Sequence, residues 1–184
     1  DAKYSFIDAD YISWRLSNGT SVKIQAQDNH EEGAQPPDVY DKNIASIVVN
    51  SAIVKSAANE ENLTDGFSKY GSSADTATLT LEAQRNIAVN APIRATSGKL
   101  NINLHADTDN DAKGMVIMNA DVDTNGGDFT AGCGTEMETG NVGIYFGHAN
   151  DEVDAEGNFL ENGDRKIITK GGNAMLYGDL ALGL

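Results

Sequence analysis

The sequence predicts an all-β fold, a right-handed parallel β-helix (β-solenoid) with short helical or loop inserts at the corners. Three observations predict it. Apolar residues alternate in short runs, clusters of Gly, Asn and Asp separate these runs, and similar phrases recur along the chain. Alternation places every second side chain on one face of a strand, and parallel crossovers are nearly always right-handed.

The recurring phrases predict how strands lie on one another. Three segments can be aligned on Asn50, Asn90 and Asn119, and their aliphatic residues then coincide. The predicted columns are Ile47 with Ile87 and Val116, and Ile53 with Ile93 and Val122. The recurring asparagines are expected to form an inward ladder at a corner or to adopt a left-handed turn conformation. Separate surface turns are the alternative.

The spacing of the phrases predicts the length of one repeat. "VKIQAQDN" (22–29) matches "LTLEAQRN" (79–86), and the alignment places Leu79 over Leu100 and Leu100 over Phe129. "KGGNAM" (170–175) reads as a further copy of "GGDF" (126–129). A period of roughly 20 residues interrupted at particular corners is typical of a solenoid. We therefore expect one domain over 1–184, with about five irregular coils and inserts at about 28–43, 57–75 and 147–164.

One stretch near the start has helical spacing instead. Ile7, Tyr11 and Trp14 recur at intervals that place them on one helix face, with Asp8 as a candidate cap and Gly19 beyond the end. We expect this aromatic stripe to pack into the core rather than to form a ligand platform.

Composition excludes some classes of partner. The 28 acidic and 13 basic residues give a net charge of −15, which repels phosphate backbones and anionic lipid. No apolar run approaches the roughly 20 residues that cross a bilayer, so neither nucleic acid nor membrane insertion is expected. Cys133 is the only cysteine, which excludes an internal disulfide, and it is expected to be a small packing residue. The chain reads as a mature piece or an excerpt of a longer protein.

The loop "HADTDNDAKG" is the candidate metal site. Asp107, Asp109 and Asp111 alternate, and hard carboxylate oxygens at that spacing suit Ca²⁺. It is not an EF-hand, because Ala112 and Met118 occupy the positions that require Gly and Glu. A looser Ca²⁺ loop and a solvated acidic turn remain the two interpretations, and no other cofactor is expected.

Enzymatic chemistry is not expected. β-Helices host polygalacturonases and pectin lyases, but the paired carboxylates that glycoside hydrolysis needs have no counterpart phrase here. Lyase chemistry needs a basic residue beside bound calcium, and no acidic cluster is assigned to the neighbourhood of Arg85 or Arg94. The three histidines, His30, His105 and His148, stand far apart in the sequence.

Three phrases carry a family resemblance: "DADYISWRLSNGTSVKIQA", "LTLEAQRNIAVNAPIRATSGKLNINLHAD" and "GMVIMNADVDTNGGDFTA". In this order they resemble the repeat region of filamentous-haemagglutinin-type large exoproteins of the two-partner secretion family. The resemblance covers most of the chain outside the three inserts. The "NPNG" and "NPNL" motifs of the family's secretion domain do not occur here, so the similarity is to the shaft alone.

The resemblance implies a right-handed parallel β-helix, secreted and displayed on the outer surface of a Gram-negative-type cell. It implies an adhesin shaft whose inserts contact a host or neighbouring-cell surface protein or glycan. One alternative is a structural subunit of an extracellular filament that self-associates end to end, since bare end coils expose strand edges. A further alternative is the stalk of a contact-dependent growth inhibition toxin.

Overall fold

The computed structural model describes residues 5–27, 45–57, 76–111, 113–133, 143–146 and 165–182. Apart from Ala57, the three expected inserts lie outside these ranges. The described residues form one helix, α1 (Ala9–Ser17), and fourteen strands. The strands are β1 (Val22–Ala26), β2 (Ile47–Val49), β3 (Ile53–Lys55), β4 (Thr76–Ala83), β5 (Ile87–Val89), β6 (Ile93–Ala95), β7 (Lys99–Ala106), β8 (Val116–Met118), β9 (Val122–Asp123), β10 (Phe129–Cys133), β11 (Gly143–Phe146), β12 (Ile167–Ile168), β13 (Ala174–Leu176) and β14 (Asp179–Leu182).

Each of the first eleven strands pairs in parallel with the strand three places further along the chain. Sheet A has the order β1-β4-β7-β10-β13, sheet B the order β2-β5-β8-β11-β14, and sheet C the order β3-β6-β9-β12. We call three consecutive strands, one from each sheet, a triplet. Parallel strands need a long connection between them, and here each connection runs through the other two sheets. The all-β prediction is confirmed, and the three parallel sheets are β-helix-like.

The aliphatic columns in sheets B and C follow the sequence alignment. Ile87 pairs with Ile47 on one side and with Val116 on the other. Ile93 pairs in the same way with Ile53 and Val122. The predicted register of these two sheets is therefore confirmed.

The predicted register of sheet A is wrong by two residues from β4 onward. Leu79 pairs with Ile102, and Leu100 pairs with Ala77 instead. Phe129 likewise pairs with Ile102, so successive strands are offset by 23 and then 27 residues. A strand's side chains alternate with a period of two, so a slip of two residues keeps the same residues facing inward. Alternation alone could not detect the error.

Alternate residues of sheet A form the core. In β4 and β7 every second side chain is buried, and those between are only partly buried or exposed. The buried positions are fully enclosed aliphatic residues in both strands, namely Leu79, Leu81, Leu100, Ile102 and Leu104. Burying a side chain of this size contributes about 1.5–3 kcal/mol, so the column stabilises the stack of triplets.

Helix α1 begins where the sequence places its cap. The Asp8 carboxylate accepts a hydrogen bond from the Asp10 backbone N–H at 2.8 Å, which satisfies one of the donors at the start of a helix. The buried apolar side chains of α1 are Ile12 and Leu16, one helical turn apart, and they join the core cluster.

The stripe of Ile7, Tyr11 and Trp14 does not join the core cluster. Ile7 and Tyr11 are exposed, and Tyr11 stacks on Trp14 with ring centroids 5.9 Å apart. The guanidinium carbon of Arg15 lies 5.8 Å from the Trp14 ring centroid. The expectation that this stripe packs into the core is wrong. The face of α1 that packs against the core carries Ile12 and Leu16 instead.

The asparagine ladder exists, but it points outward. Asn90 Nδ2 donates to Asn50 Oδ1 at 2.9 Å, and Asn119 Nδ2 donates to Asn90 Oδ1 at 2.8 Å. Each asparagine follows a residue on the inner face, such as Val49 or Val89, so its own side chain points to the opposite face. None of the three has a positive φ, so the inward and left-handed expectations are both wrong.

Polar side chains at the corners satisfy the backbone of the following triplet. In each case a side-chain oxygen, at a corner or near the start of a strand, accepts from a backbone N–H of the next layer. The pairs are Ser21 with Thr78 (3.0 Å), Asn86 with Met115 (3.0 Å), Asn101 with Asp128 (2.9 Å), Asp121 with Lys166 (2.9 Å) and Asp128 with Asn173 (2.8 Å). These bonds lie at exposed positions and connect successive layers, which gives the Ser, Asn and Asp residues near the corners a local structural role.

A four-residue turn recurs at the corner between sheets C and A. In 124–127 ("TNGG") the two central residues, Asn125 and Gly126, have φ of 49° and 94°. In 169–172 ("TKGG") Lys170 and Gly171 have φ of 49° and 102°. Two consecutive left-handed residues favour Asn and Gly. The copy predicted at 170–175 is confirmed, since Ala174 pairs with Phe129.

Candidate functional site

The acidic loop after β7 brings the three predicted aspartates together. One carboxylate oxygen from each of Asp107, Asp109 and Asp111 lies within 4.8 Å of the others. Asp107 follows the last residue of β7 and is only 3% exposed, with a left-handed φ of 53°. Its backbone N–H bonds to the Arg85 carbonyl at 3.3 Å. This bond holds the loop against the corner of the preceding triplet.

Two cations flank the same loop. Arg85 Nη1 donates to Asp111 Oδ2 at 2.6 Å, and Lys113 Nζ donates to the same oxygen at 3.0 Å. The expectation that no acidic cluster lies beside Arg85 is therefore wrong. Arg85 lies at the corner between β4 and β5, and the acidic loop occupies the same corner one triplet later. Arg85 and Asp111 are therefore in direct contact although they lie 26 residues apart in the sequence.

The loop's carboxyl groups are perturbed in opposite directions. Burial raises the pKa of Asp107, and the negative charges of Asp111 and Asp109 raise it further, against a backbone hydrogen bond from Lys113. Burial also acts to raise the pKa of Asp111, but the hydrogen bonds and charges of Arg85 and Lys113 outweigh it and lower that pKa. The loop therefore contains a carboxylate that is fixed by ion pairs and another that resists ionisation.

The geometry is compatible with a hard cation and also with a self-contained loop. Asp111 Oδ1 is a buried oxygen with no hydrogen-bond partner among the described residues, and Ca²⁺ takes six to eight oxygen ligands. Against this, Asp111 Oδ2 is already neutralised by Arg85 and Lys113. The three aspartates could supply only part of a calcium shell. The calcium loop remains a prediction.

The calcium prediction has a direct thermal test. If Asp107, Asp109 and Asp111 hold Ca²⁺, then Ca²⁺ at about 100 times its Kd should add about 2.7 kcal/mol to the free energy of unfolding relative to chelator-treated protein. Asp109→Asn should abolish that gain, and the control Asp121→Asn, at a different corner, should retain it. Melting curves with and without calcium measure the effect, and identical curves would leave the solvated acidic turn as the interpretation.

One of the three histidines, His105, lies within the described ranges. His105 lies on the outer face of β7 beside Glu82 of β4, and His30 and His148 lie outside the described residues. The Glu82 carboxylate already has two partners. Lys23 Nζ lies 2.8 Å from Oε1, and Gln25 Nε2 donates to Oε2 at 2.7 Å. The Lys23 hydrogen bond is the main reason that the pKa of Glu82 is lowered. Among the described residues, the aspartate loop is the one group of three or more such side chains that could hold a metal.

Cys133 at the end of β10 is a buried free thiol. Its sulfur donates to the Gly143 carbonyl at 3.3 Å, and burial raises its pKa to about 11. Because thiolate is the reactive form, we expect Cys133 to resist alkylation at neutral pH in the folded protein and to react after denaturation.

The pH dependence of Cys133 has a defined sign. The pKa of the folded thiol is above the ordinary value of 9.0, so the unfolded chain loses its proton first. This contribution to stability is present below pH 9 and is lost as pH rises towards 11. Alkylation rates and urea midpoints across that window check the prediction, and Cys133→Ala is the control. Rapid native alkylation at neutral pH would contradict it.

Lys55 is a buried charged residue that the sequence analysis missed. Its side chain is 0% exposed at an inward position of β3, and Nζ donates to the Ser97 carbonyl at 2.7 Å. The available signal was the register: Lys55 pairs with the buried Ala95 in the next triplet. Charged residues are rarely buried without partners.

Comparison with protein-family models, curated proteins and solved structures finds no match. In the described part of the chain, no helix is long and apolar enough to cross a membrane. The class that the structure itself defines is an all-β protein built on three parallel sheets.

Proposed function

We propose that this chain is a segment of a right-handed parallel β-helical shaft from a secreted bacterial surface exoprotein of the filamentous-haemagglutinin type. In this proposal the stacked triplets form a stiff adhesin rod that holds binding surfaces away from the cell. The inserts at about 28–43, 57–75 and 147–164 contact a host or neighbouring-cell surface protein or glycan.

The observation that carries the proposal is the strand order. Each strand from β1 to β11 pairs with the strand three places later, and these pairs connect all fourteen strands into three sheets. Layers stacked in this way contact only their neighbours, so the assembly is stiff and can be extended by further layers. The sequence phrases that resemble the exoprotein repeats lie on these strands and corners.

The outer surface of the described shaft supports a structural role. Several outward side chains of neighbouring layers bond to each other: Asn50, Asn90 and Asn119 form a ladder, and Lys23 pairs with Glu82. Side chains that are used between layers are not available for chemistry. This favours the three inserts as the parts of the chain that recognise a partner.

A cell-binding experiment tests the proposal. Labelled chain should adhere to bacterial or host cells, or to immobilised surface glycans, and replacing the three inserts by short Gly/Ser linkers should remove adhesion while retaining the β-sheet circular dichroism. Thr80→Ala/Asn103→Ala on the outer face of sheet A is the matched control and should still adhere. Adhesion that survives replacement of all three inserts would contradict the role given to them, and absence of adhesion to every surface would contradict the adhesin.

The filament subunit remains the second candidate because the two described ends of the stack differ. At the β12–β13 end, Ile168, Met175, Leu176 and Tyr177 are exposed. Exposed apolar side chains beside unpaired strand edges favour association. Monodisperse particles in electron microscopy of the purified chain would count against a filament. The stalk of a contact-dependent growth inhibition toxin is a further alternative, which the parent gene's downstream sequence would test.

A further inference from the structure

The outer face of sheet B carries a column of apolar side chains. One residue of each of its first four strands points outward between inward neighbours, and these residues are Val48, Ala88, Ile117 and Tyr145. They pair in register from each layer to the next. Val48 is 49% exposed and Tyr145 is 40% exposed, so both of these side chains are open to solvent.

The same face is uncharged. None of the residues of β2, β5, β8 and β11, and none of the residues directly before or after these strands, is Asp, Glu, Lys or Arg. The outer faces of the other sheets do carry charges, such as Lys23 and Glu82 on sheet A and Arg94 on sheet C. Because the chain has a net charge of −15, an uncharged face is where a second copy approaches with the least electrostatic repulsion.

The side-chain sizes in the column fit a second copy whose layers run in the opposite order. A two-fold axis along β8 places Ile117 against Ile117 of the second copy, as a symmetric interface allows. The β5 layer then lies opposite the β11 layer, so Tyr145 of each copy faces the small Ala88 of the other. Two copies with their layers in the same order would instead place Tyr145 against Tyr145 and leave a gap between the two alanines.

The asparagine ladder is compatible with the same arrangement. Asn50, Asn90 and Asn119 directly follow the strands of the column and lie along one edge of the face. An axis along β8 brings the ladders of both copies to the same edge of the contact. Amide groups both donate and accept hydrogen bonds, so two ladders can meet there without an electrostatic penalty.

The size of the face sets the strength of the contact. Five layers at a spacing of about 4.8 Å, and five residues at about 3.3 Å each, describe a face of about 400 Å² per copy. A stable interface buries about 800 Å² per partner. The pairing of two chains should therefore be weak and should require a high protein concentration.

We propose that the outer face of sheet B is a self-association surface, and that its occupant is sheet B of a second copy, stacked face to face with its layers reversed. Tyr145 of each copy packs on Ala88 of the other, and Ile117 lies on the two-fold axis. The acidic loop after β7 lies at the corner that leads into β8, so the loops of both copies lie at the same corner of the contact and repel each other. Salt promotes the contact by screening this repulsion.

Sedimentation of the full chain at increasing protein and salt concentration tests the pairing. The chain should have the monomer mass of 19.5 kDa in dilute solution. It should approach twice that mass at roughly 0.1–1 mM protein, the range of a weak contact, and to a greater extent at high salt. Ile117→Lys places two ammonium groups on the axis and should abolish the shift. Asn103→Lys is the matched control, because it adds the same charge in the same layer on the outer face of sheet A.

An exchange of the large and the small residue tests the reversed order. Ala88→Tyr should weaken the dimer by placing tyrosine against Tyr145, and Tyr145→Ala should weaken it by leaving a gap. Ala88→Tyr/Tyr145→Ala restores one large and one small side chain at each contact, so the double variant should pair as strongly as the unsubstituted chain. Circular dichroism checks that each variant is folded.

Three results would overturn the proposal. A chain that stays monomeric at about 1 mM protein and high salt would leave the column to another occupant, an insert of the same chain or a different protein, and this result needs no variant to fold. Ile117→Lys that pairs as strongly as Asn103→Lys would move the contact away from sheet B. A double variant that pairs more weakly than either single variant would contradict the reversed order.

Discussion

Phe129→Ala should lower the free energy of unfolding by about 3–5 kcal/mol. Phe129 is 0% exposed and occupies the interior of sheet A between Ile102 and Ala174. Truncation removes the largest buried aromatic side chain among the described residues and leaves a cavity that two neighbouring layers line. Paired strands on both sides of β10 limit collapse around that cavity, so the cost should fall near the upper part of the range.

Phe6→Ala is the matched control, because Phe6 is 92% exposed just before α1. The same substitution there should change the free energy of unfolding by no more than about 0.5 kcal/mol. Urea denaturation of both variants checks the pair. Equal losses at the two positions would contradict the burial of Phe129 in the core of sheet A.

Gly127→Ala should lower the free energy of unfolding by about 3 kcal/mol or more. A Cβ on Gly127 would overlap the carbonyl group of Leu100 in the preceding layer. Gly172 has the same relation to Gly127 one layer later. These contacts are with backbone atoms, which can move only by separating the layers, so the strain cannot be relieved by a change of rotamer.

Gly171→Ala separates this packing effect from backbone strain. Gly171 has a φ of 102°, but no atom lies within 4 Å of a Cβ built there. Gly171→Ala should lower the free energy of unfolding only by the cost of holding alanine in a left-handed backbone conformation, about 1–2 kcal/mol. Thermal and urea unfolding measure both variants. A Gly171→Ala protein that is less stable than Gly127→Ala would contradict the close stacking of layers at this corner.

Periodicity and repeated phrases predicted the strands and the register of sheets B and C. Alignment on the three asparagines produced the true register of sheets B and C, since short strands between fixed turns leave little freedom. β4 and β7 are longer, and their alternation is equally satisfied by a shift of two residues. There the corner hydrogen bonds, such as Asn101 with Asp128, select the register.

The site was predictable only in its residue types. Three alternating aspartates predicted a cluster, and the cluster is present. The contact of Arg85 with Asp111 depends on two corners lying over one another, which follows from the register and not from local spacing. Lys55 was missed although its signal was present, because it alternates with Ile53 and aligns with Ala95, and both relations place it on the inward face.

The helix shows a different limit. Tyr11 and Trp14 were expected in the core because large aromatic residues usually dominate buried area. Burial on α1 was decided by the shape of the end that it covers, where Leu16 fits the interior and Ser13 and Ser17 face the β3 edge. The sequence of a helix shows which faces could be buried, and the surface against which the helix packs determines which one is.

Distances between spin labels test the stacked arrangement most directly. Lys23, Thr80, Asn103, Thr130 and Met175 occupy one register column on the outer face of sheet A. In a Cys133→Ala background, labels at Lys23 and Thr130 should lie about 14 Å apart, and labels at Lys23 and Met175 about 19 Å apart. These are three and four strand spacings of about 4.8 Å. Narrow distributions that increase by one spacing per layer are the predicted result. Broad distributions, or a Met175 label no farther from Lys23 than the Thr130 label, would contradict the stack.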